Sequence, residues 1–131
     1  METQLVLKQL KDKLESLLFD INRLIINGMQ GDERVEKTIA VVLNYAGLSM
    51  ADLIESRKGG LIFYKRILCY ILHDFCSVTY QKIANKINLK SHATARHHTE
   101  KMRWWLANPQ YADKETIMAT NNILKELGYE K

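Results

Sequence analysis

Cys69, His73 and Cys76 stand at i, i+4 and i+7, a spacing that places two thiols and an imidazole on one helical face. Such a set binds zinc when a fourth ligand completes a tetrahedron. The chain has no short Cys-x-x-Cys knuckle and no evident fourth ligand, so reduced cysteines packed in an apolar helix are the expected state. His92, His97, His98 and Glu100 form a second group with the residue types of an acid–base or metal centre. Neighbouring His97 and His98 diverge by about 100° on a helix, which keeps them from sharing one ligand. No Gly-x-x-x-x-Gly-Lys-Ser/Thr loop is present to cradle a nucleotide. These residues point away from an enzyme, and no metal, nucleotide or other cofactor is expected.

The charge pattern says more. The net charge of +4 hides a division along the chain. Residues 1–55 carry six Lys/Arg against nine Asp/Glu, and residues 107–131 carry three against four. Residues 56–106 carry ten against two, a net of +8, and hold all four histidines. A basic block of this kind suits a phosphate-rich partner, bound through Coulomb attraction and counterion release. With 131 residues, 47% hydrophobic and 26% charged, the chain suits one folded, water-soluble domain with an appended helix. It contains no run of about 18 apolar residues and no secretory signal at its start, so a cytoplasmic protein without a membrane partner is expected.

The elements that must position these residues read as helical nearly throughout, with six glycines and one proline. Leu7, Leu10, Leu14, Leu17, Ile21 and Leu24 follow a 3,4,3,4,3 spacing, and Asn27-Gly28 and Gly31 close that helix. Residues 1–30 are therefore assigned to an N-terminal amphipathic helix and 31–131 to the domain. A second helix spans about Asp32 to Ala46, with Val35, Ile39, Val42 and Leu43 inward, and Ser49 and Asp52 form a capping box for a third. Ser56–Gly60 is a basic, flexible linker. LIFYKRILCYILHDF is apolar on nearly every side, the pattern of a central buried helix. Thr79 caps the short helix YQKIANKI, Asn88-Leu89-Lys90 turns the chain, and Ser91 caps HATARHHTEKMRWWL. In that helix Ala95, His98, Met102 and Trp105 face inward, and Asn108-Pro109 ends it. Asp113 and Gly128 bound a last helix.

A short helix, a tight turn and a longer helix inside the most basic segment form a helix-turn-helix, whose second helix enters the major groove with its N-terminal residues at base edges. Lys90-Ser91-His92-Ala93-Thr94, followed by His97 and Lys101-Met102, resembles the Arg-Asp-His-Thr-Thr signature of the origin-binding domain of the bacterial replication initiator DnaA. Val78-Thr79-Tyr80-Gln81-Lys82-Ile83-Ala84 is similar to that family's scaffold helix, and LSMADLIESRK to its connecting helix and basic loop. The resemblance spans about residues 33–128 and lacks the family's ATPase module. It implies an all-α, Trp-repressor-like bundle of six to seven helices with an extra N-terminal helix.

The implied function is sequence-specific binding of double-stranded DNA, in replication control or in regulation of an accessory genetic element. By the same resemblance, Arg57 falls at the minor groove, and Lys65 and His73 near the phosphate backbone; Lys58, next to Arg57, is a further DNA-binding candidate. Lys90, Ser91, His92 and Thr94 fall on the recognition loop and first helical turn, with Arg96 an added cation. Asn88-Leu89 stands where the family has two glycines, and Ser91 and Ala93 replace an aspartate and a threonine. Each lost base contact is worth about 1–3 kcal/mol of discrimination, which points away from the family's usual site. The alternative is a protein-interaction adaptor that keeps the fold without specific DNA binding, using the N-terminal helix or Trp104. Leu18 and Ile25 widen the N-terminal stripe beyond two positions per heptad. That width suits docking on the chain's own domain better than an isolated two-stranded zipper, with a homo-oligomer as the other outcome. Trp105 is expected in the core, and Trp104 stacked on the last helix or at a partner surface.

Overall fold

The computed structural model describes residues 2–29, 31–55 and 59–129. Among these it is all-α, with seven α-helices and no strand: α1 (Glu2–Gly28), α2 (Gly31–Ala46), α3 (Met50–Glu55), α4 (Gly59–Asp74), α5 (Tyr80–Lys86), α6 (His92–Ala107) and α7 (Lys114–Leu127). A single 3₁₀ turn, Pro109–Tyr111, joins the last two.

The apolar run in α4 places it at the centre. Ile67, Leu68, Cys69, Tyr70, Ile71 and Leu72 are consecutive and all buried, which requires cover on every side of the helix. That cover comes from α2, α3, α5 and α6. Gly59 and Gly60 belong to the first turn of α4, so the expected linker is shorter than the sequence suggested. Ser56, Arg57 and Lys58 lie outside the described residues.

Local signals set the helix starts. Ser49 and Asp52 exchange backbone-to-side-chain bonds of 3.2 and 3.1 Å, the reciprocal capping box. Thr79 Oγ1 accepts from the Lys82 amide at 3.3 Å, and Asp113 caps α7 through the Glu115 amide. Gly128 ends α7 in the left-handed region at φ 78°, and a Cβ there would run into the Arg23 backbone of α1. A polar knot ties α2 to the far end of the chain. The Thr38 hydroxyl lies 3.5 Å from Cys76 Sγ and 3.3 Å from the Tyr129 hydroxyl, and Arg34 donates to the Phe75 carbonyl at 3.2 Å.

The N-terminal helix departs from the expected docking mode. α1 packs on α7, but through Phe19 and Ile26, its two buried residues. Leu7, Leu10, Leu14, Leu17, Ile21 and Leu24 are all at least half exposed. In heptad terms the exposed row occupies positions a and d, and Phe19 and Ile26 occupy f, the opposite side of the helix. The stripe is therefore not the surface that meets the domain. No described helix is long and apolar enough to cross a membrane.

Candidate nucleic-acid interface

The α5–turn–α6 unit is built on buried small and apolar side chains. Ile83, Ala84 and Ile87 face the core from α5, and Ala95, Thr99 and Met102 from α6. Between the helices Asn88 takes φ 54°, a left-handed conformation that asparagine tolerates better than most residues. The Leu89 amide then closes back on the Ala84 carbonyl at 2.9 Å. This turn brings Lys90, Ser91, His92 and Thr94 together at the start of α6. Lys90, His92 and Ala93 are exposed, Ser91 and Thr94 half-buried, and the first turn carries no acidic side chain. The backbone amides of that turn add a positive helix end to the same edge.

Ser91 occupies the N-cap position with an extended backbone, but its hydroxyl makes no cap bond. The Thr94 amide is taken by the Ser91 carbonyl at 3.1 Å, so the side chain expected to cap the helix is not used for that.

Farther along α6 the cations are tethered within the protein. Arg96 Nε donates to Glu100 Oε1 at 2.8 Å one turn on, and this bond holds the exposed Glu100 carboxyl below its ordinary range. Arg103 Nε donates to Asp74 Oδ2 at 2.8 Å, with a second, shorter bond from the same guanidinium to Oδ1. Burial pushes the Asp74 carboxyl up, and the bonds from Arg103 and His73 outweigh it, leaving the group below the usual carboxylate range. His73 Nδ1 lies 2.9 Å from Asp74 and 3.0 Å from Arg103, and its ring stacks on Tyr80 at 4.1 Å. His73 is thus placed beside Arg103, about 16 Å along α6 from the recognition edge. On α5, Lys86 pairs with Glu36 at 2.7 Å, and Lys82 is exposed.

A second basic group was not legible in the sequence. Lys65 and Arg66 of α4 and Lys101 of α6 converge around half-buried His98, where Arg66 Nε donates to His98 Nδ1 at 3.4 Å. Burial, together with these cations and His97, pushes the His98 imidazole down to about 4, so it is neutral near pH 7. Trp105 was expected in the core. It is instead half-buried, with Arg66 and Lys101 at 5.3 and 5.4 Å from its ring centre. Only the packing of α4 on α6 assembles this patch, and no sequence spacing announces it.

The remaining candidates separate. Cys76 Sγ turns to Thr38 and Tyr129, His73 turns to Asp74 and Arg103, and Cys69 is sealed inside α4. Burial pushes the Cys69 thiol up to about 12, far from a reactive thiolate. Trp104 stacks on Tyr111 of the 3₁₀ turn at 5.6 Å rather than on the last helix, and both rings stay more than half exposed. Arg57 and Lys58 lie outside the described residues. Compared with protein families, curated proteins and solved structures, the chain matches no family model, no curated protein and no solved structure.

Proposed function

We propose that this chain binds double-stranded DNA sequence-specifically, with the start of α6 in the major groove. The observation that carries this reading is the acid-free edge at a positive helix end, with Lys90 and His92 exposed and Ser91 and Thr94 half-buried beside them. Lys90 and Thr94 suit phosphate and base edges, and His92 projects from the first helical position. Lys65, Arg66, Lys82 and Lys101 supply further positive charge on α4, α5 and α6, where the DNA backbone would run. The DnaA resemblance alone assigns Arg57 to the minor groove and Lys58 to the DNA-binding set, and it also suggests replication control or an accessory genetic element as the setting.

Binding to a random duplex, followed by fluorescence anisotropy across a salt series, tests the electrostatic part. If about five cations meet phosphates, log Kobs falls against log salt with a slope near −4 to −5. A flat slope, or no binding at low salt, overturns the reading. A second reading, a protein-interaction adaptor on the same fold, draws support from the exposed Trp104–Tyr111 stack. The adaptor reading predicts the flat result.

A further inference from the structure

The outer face of α1 presents a continuous apolar row that the chain's own domain leaves uncovered. Leu7, Leu10, Leu14, Leu17, Ile21 and Leu24 run the length of a 27-residue helix, each between 50% and 74% exposed. Leu18 and Ile25, at 57% and 47%, flank the row on one side. The docking contacts with α7 use the opposite side of the helix, so the domain does not obstruct this face. An exposed stripe of this extent is far beyond the scattered apolar residues of an ordinary monomer surface.

We infer that this face is occupied by the same face of a second copy, paired antiparallel. The row is self-complementary when the helices run in opposite directions. Leu7 of one copy then lies opposite Leu24 of the other, Leu10 opposite Ile21, and Leu14 opposite Leu17, and symmetry doubles these into six aliphatic layers. Charge selects the orientation. In a parallel pair the Lys13 stem would cover Leu18, but Asp20 would face Ile25, leaving a carboxylate against an apolar neighbour. In the antiparallel pair the flanking position of Lys13 meets that of Asp20, twice over. Lys11 then lies beside Leu18 and covers it with its aliphatic stem. Opposed helix dipoles favour the same arrangement. The pairing covers the exposed faces of twelve aliphatic side chains, six from each copy, as a specific two-protein interface requires.

Analytical ultracentrifugation of the full chain is the primary test. The expected result is a species of twice the 15.2 kDa chain mass, dissociating on dilution. Leu14→Glu with Leu17→Glu should give a monomer whose helical circular dichroism is retained. Lys13→Asp should weaken the dimer roughly tenfold, and adding Asp20→Lys should restore it. Orientation is read by cross-linking: Leu7→Cys and Leu24→Cys chains should form a mixed disulfide when combined, and Leu24→Cys alone should not pair with itself. A monomer at every concentration, a tetramer, a dimer that survives the double glutamate variant, or a Leu24→Cys homodisulfide overturns the inference.

Discussion

Asp74 accepts two hydrogen bonds from Arg103, joining the end of α4 to the outer face of α6 across 29 residues of sequence. Under the proposed DNA-binding reading, the pair neutralises a cation on the outer face of α6 that would otherwise add to the attraction for a duplex. Asp74→Asn keeps the shape and one acceptor while releasing that charge. Binding to random DNA at low salt should strengthen about two- to fivefold, with stability reduced by no more than about 1 kcal/mol at this solvent-accessible site. Anisotropy titrations and urea melts measure the two effects. Unchanged or weaker DNA binding would place Arg103 away from the duplex.

If α6 reads bases as proposed, base reading and backbone holding should separate by mutation. His92→Ala and Thr94→Ala should each reduce affinity for a selected duplex by about 1–3 kcal/mol while leaving random DNA nearly unaffected. Lys65→Ala should weaken both equally and reduce the salt slope by about one. Selection from a random oligonucleotide pool supplies the duplex. Equal losses on both DNAs for all three variants would mean that α6 does not read bases.

The half-buried His98 makes stability depend on pH. Its native imidazole titrates near about 4, against 6.5 for the ordinary group, so the unfolded chain binds a proton that the folded chain refuses. Stability is fullest above 6.5 and falls as pH drops from 6.5 toward 4, levelling below that. Solvent screening at this site keeps the total near about 1–2 kcal/mol. His98→Gln should abolish this component. Urea midpoints for both proteins between these pH values give the difference, and parallel curves would refute the assignment.

Gly128 is held at φ 78° with α1 pressed against it. Gly128→Ala adds left-handed strain of about 1–2 kcal/mol and a collision with the Arg23 backbone, so the loss should exceed that figure. Amide hydrogen exchange should show α1 loosening before the rest of the domain. Equal exchange in α1 of both proteins would show that Gly128 does not fasten it.

What the sequence made legible was mostly local. The Ser49–Asp52 box, the Thr79 and Asp113 caps and the Gly128 stop all act within a turn or two, so neighbouring residue types suffice to find them. The burial of α4 was legible because a helix apolar all round has one stable location. Two elements were hidden for opposite reasons. On α1 the heptad row was conspicuous, but periodicity reports an apolar face without reporting what covers it. The docking row, Phe19 and Ile26 seven residues apart, was masked by the stronger pattern behind it. Around His98 the difficulty was distance along the chain: Lys65, Arg66 and Lys101 become neighbours only after α4 and α6 pack. Within the proposed interface the order of residues 90–94 was readable, whereas the internal pairing of Arg96 with Glu100 and of Arg103 with Asp74 changes how much charge that surface offers a duplex.

Cys69 carries a practical corollary. With its sulfur enclosed by the central helix and its proton held until about 12, it resists alkylating reagents for as long as the domain stays closed. Its labelling rate, followed on its own peptide apart from half-buried Cys76, therefore serves as an internal clock for opening of the domain, readable by mass spectrometry without any engineered label.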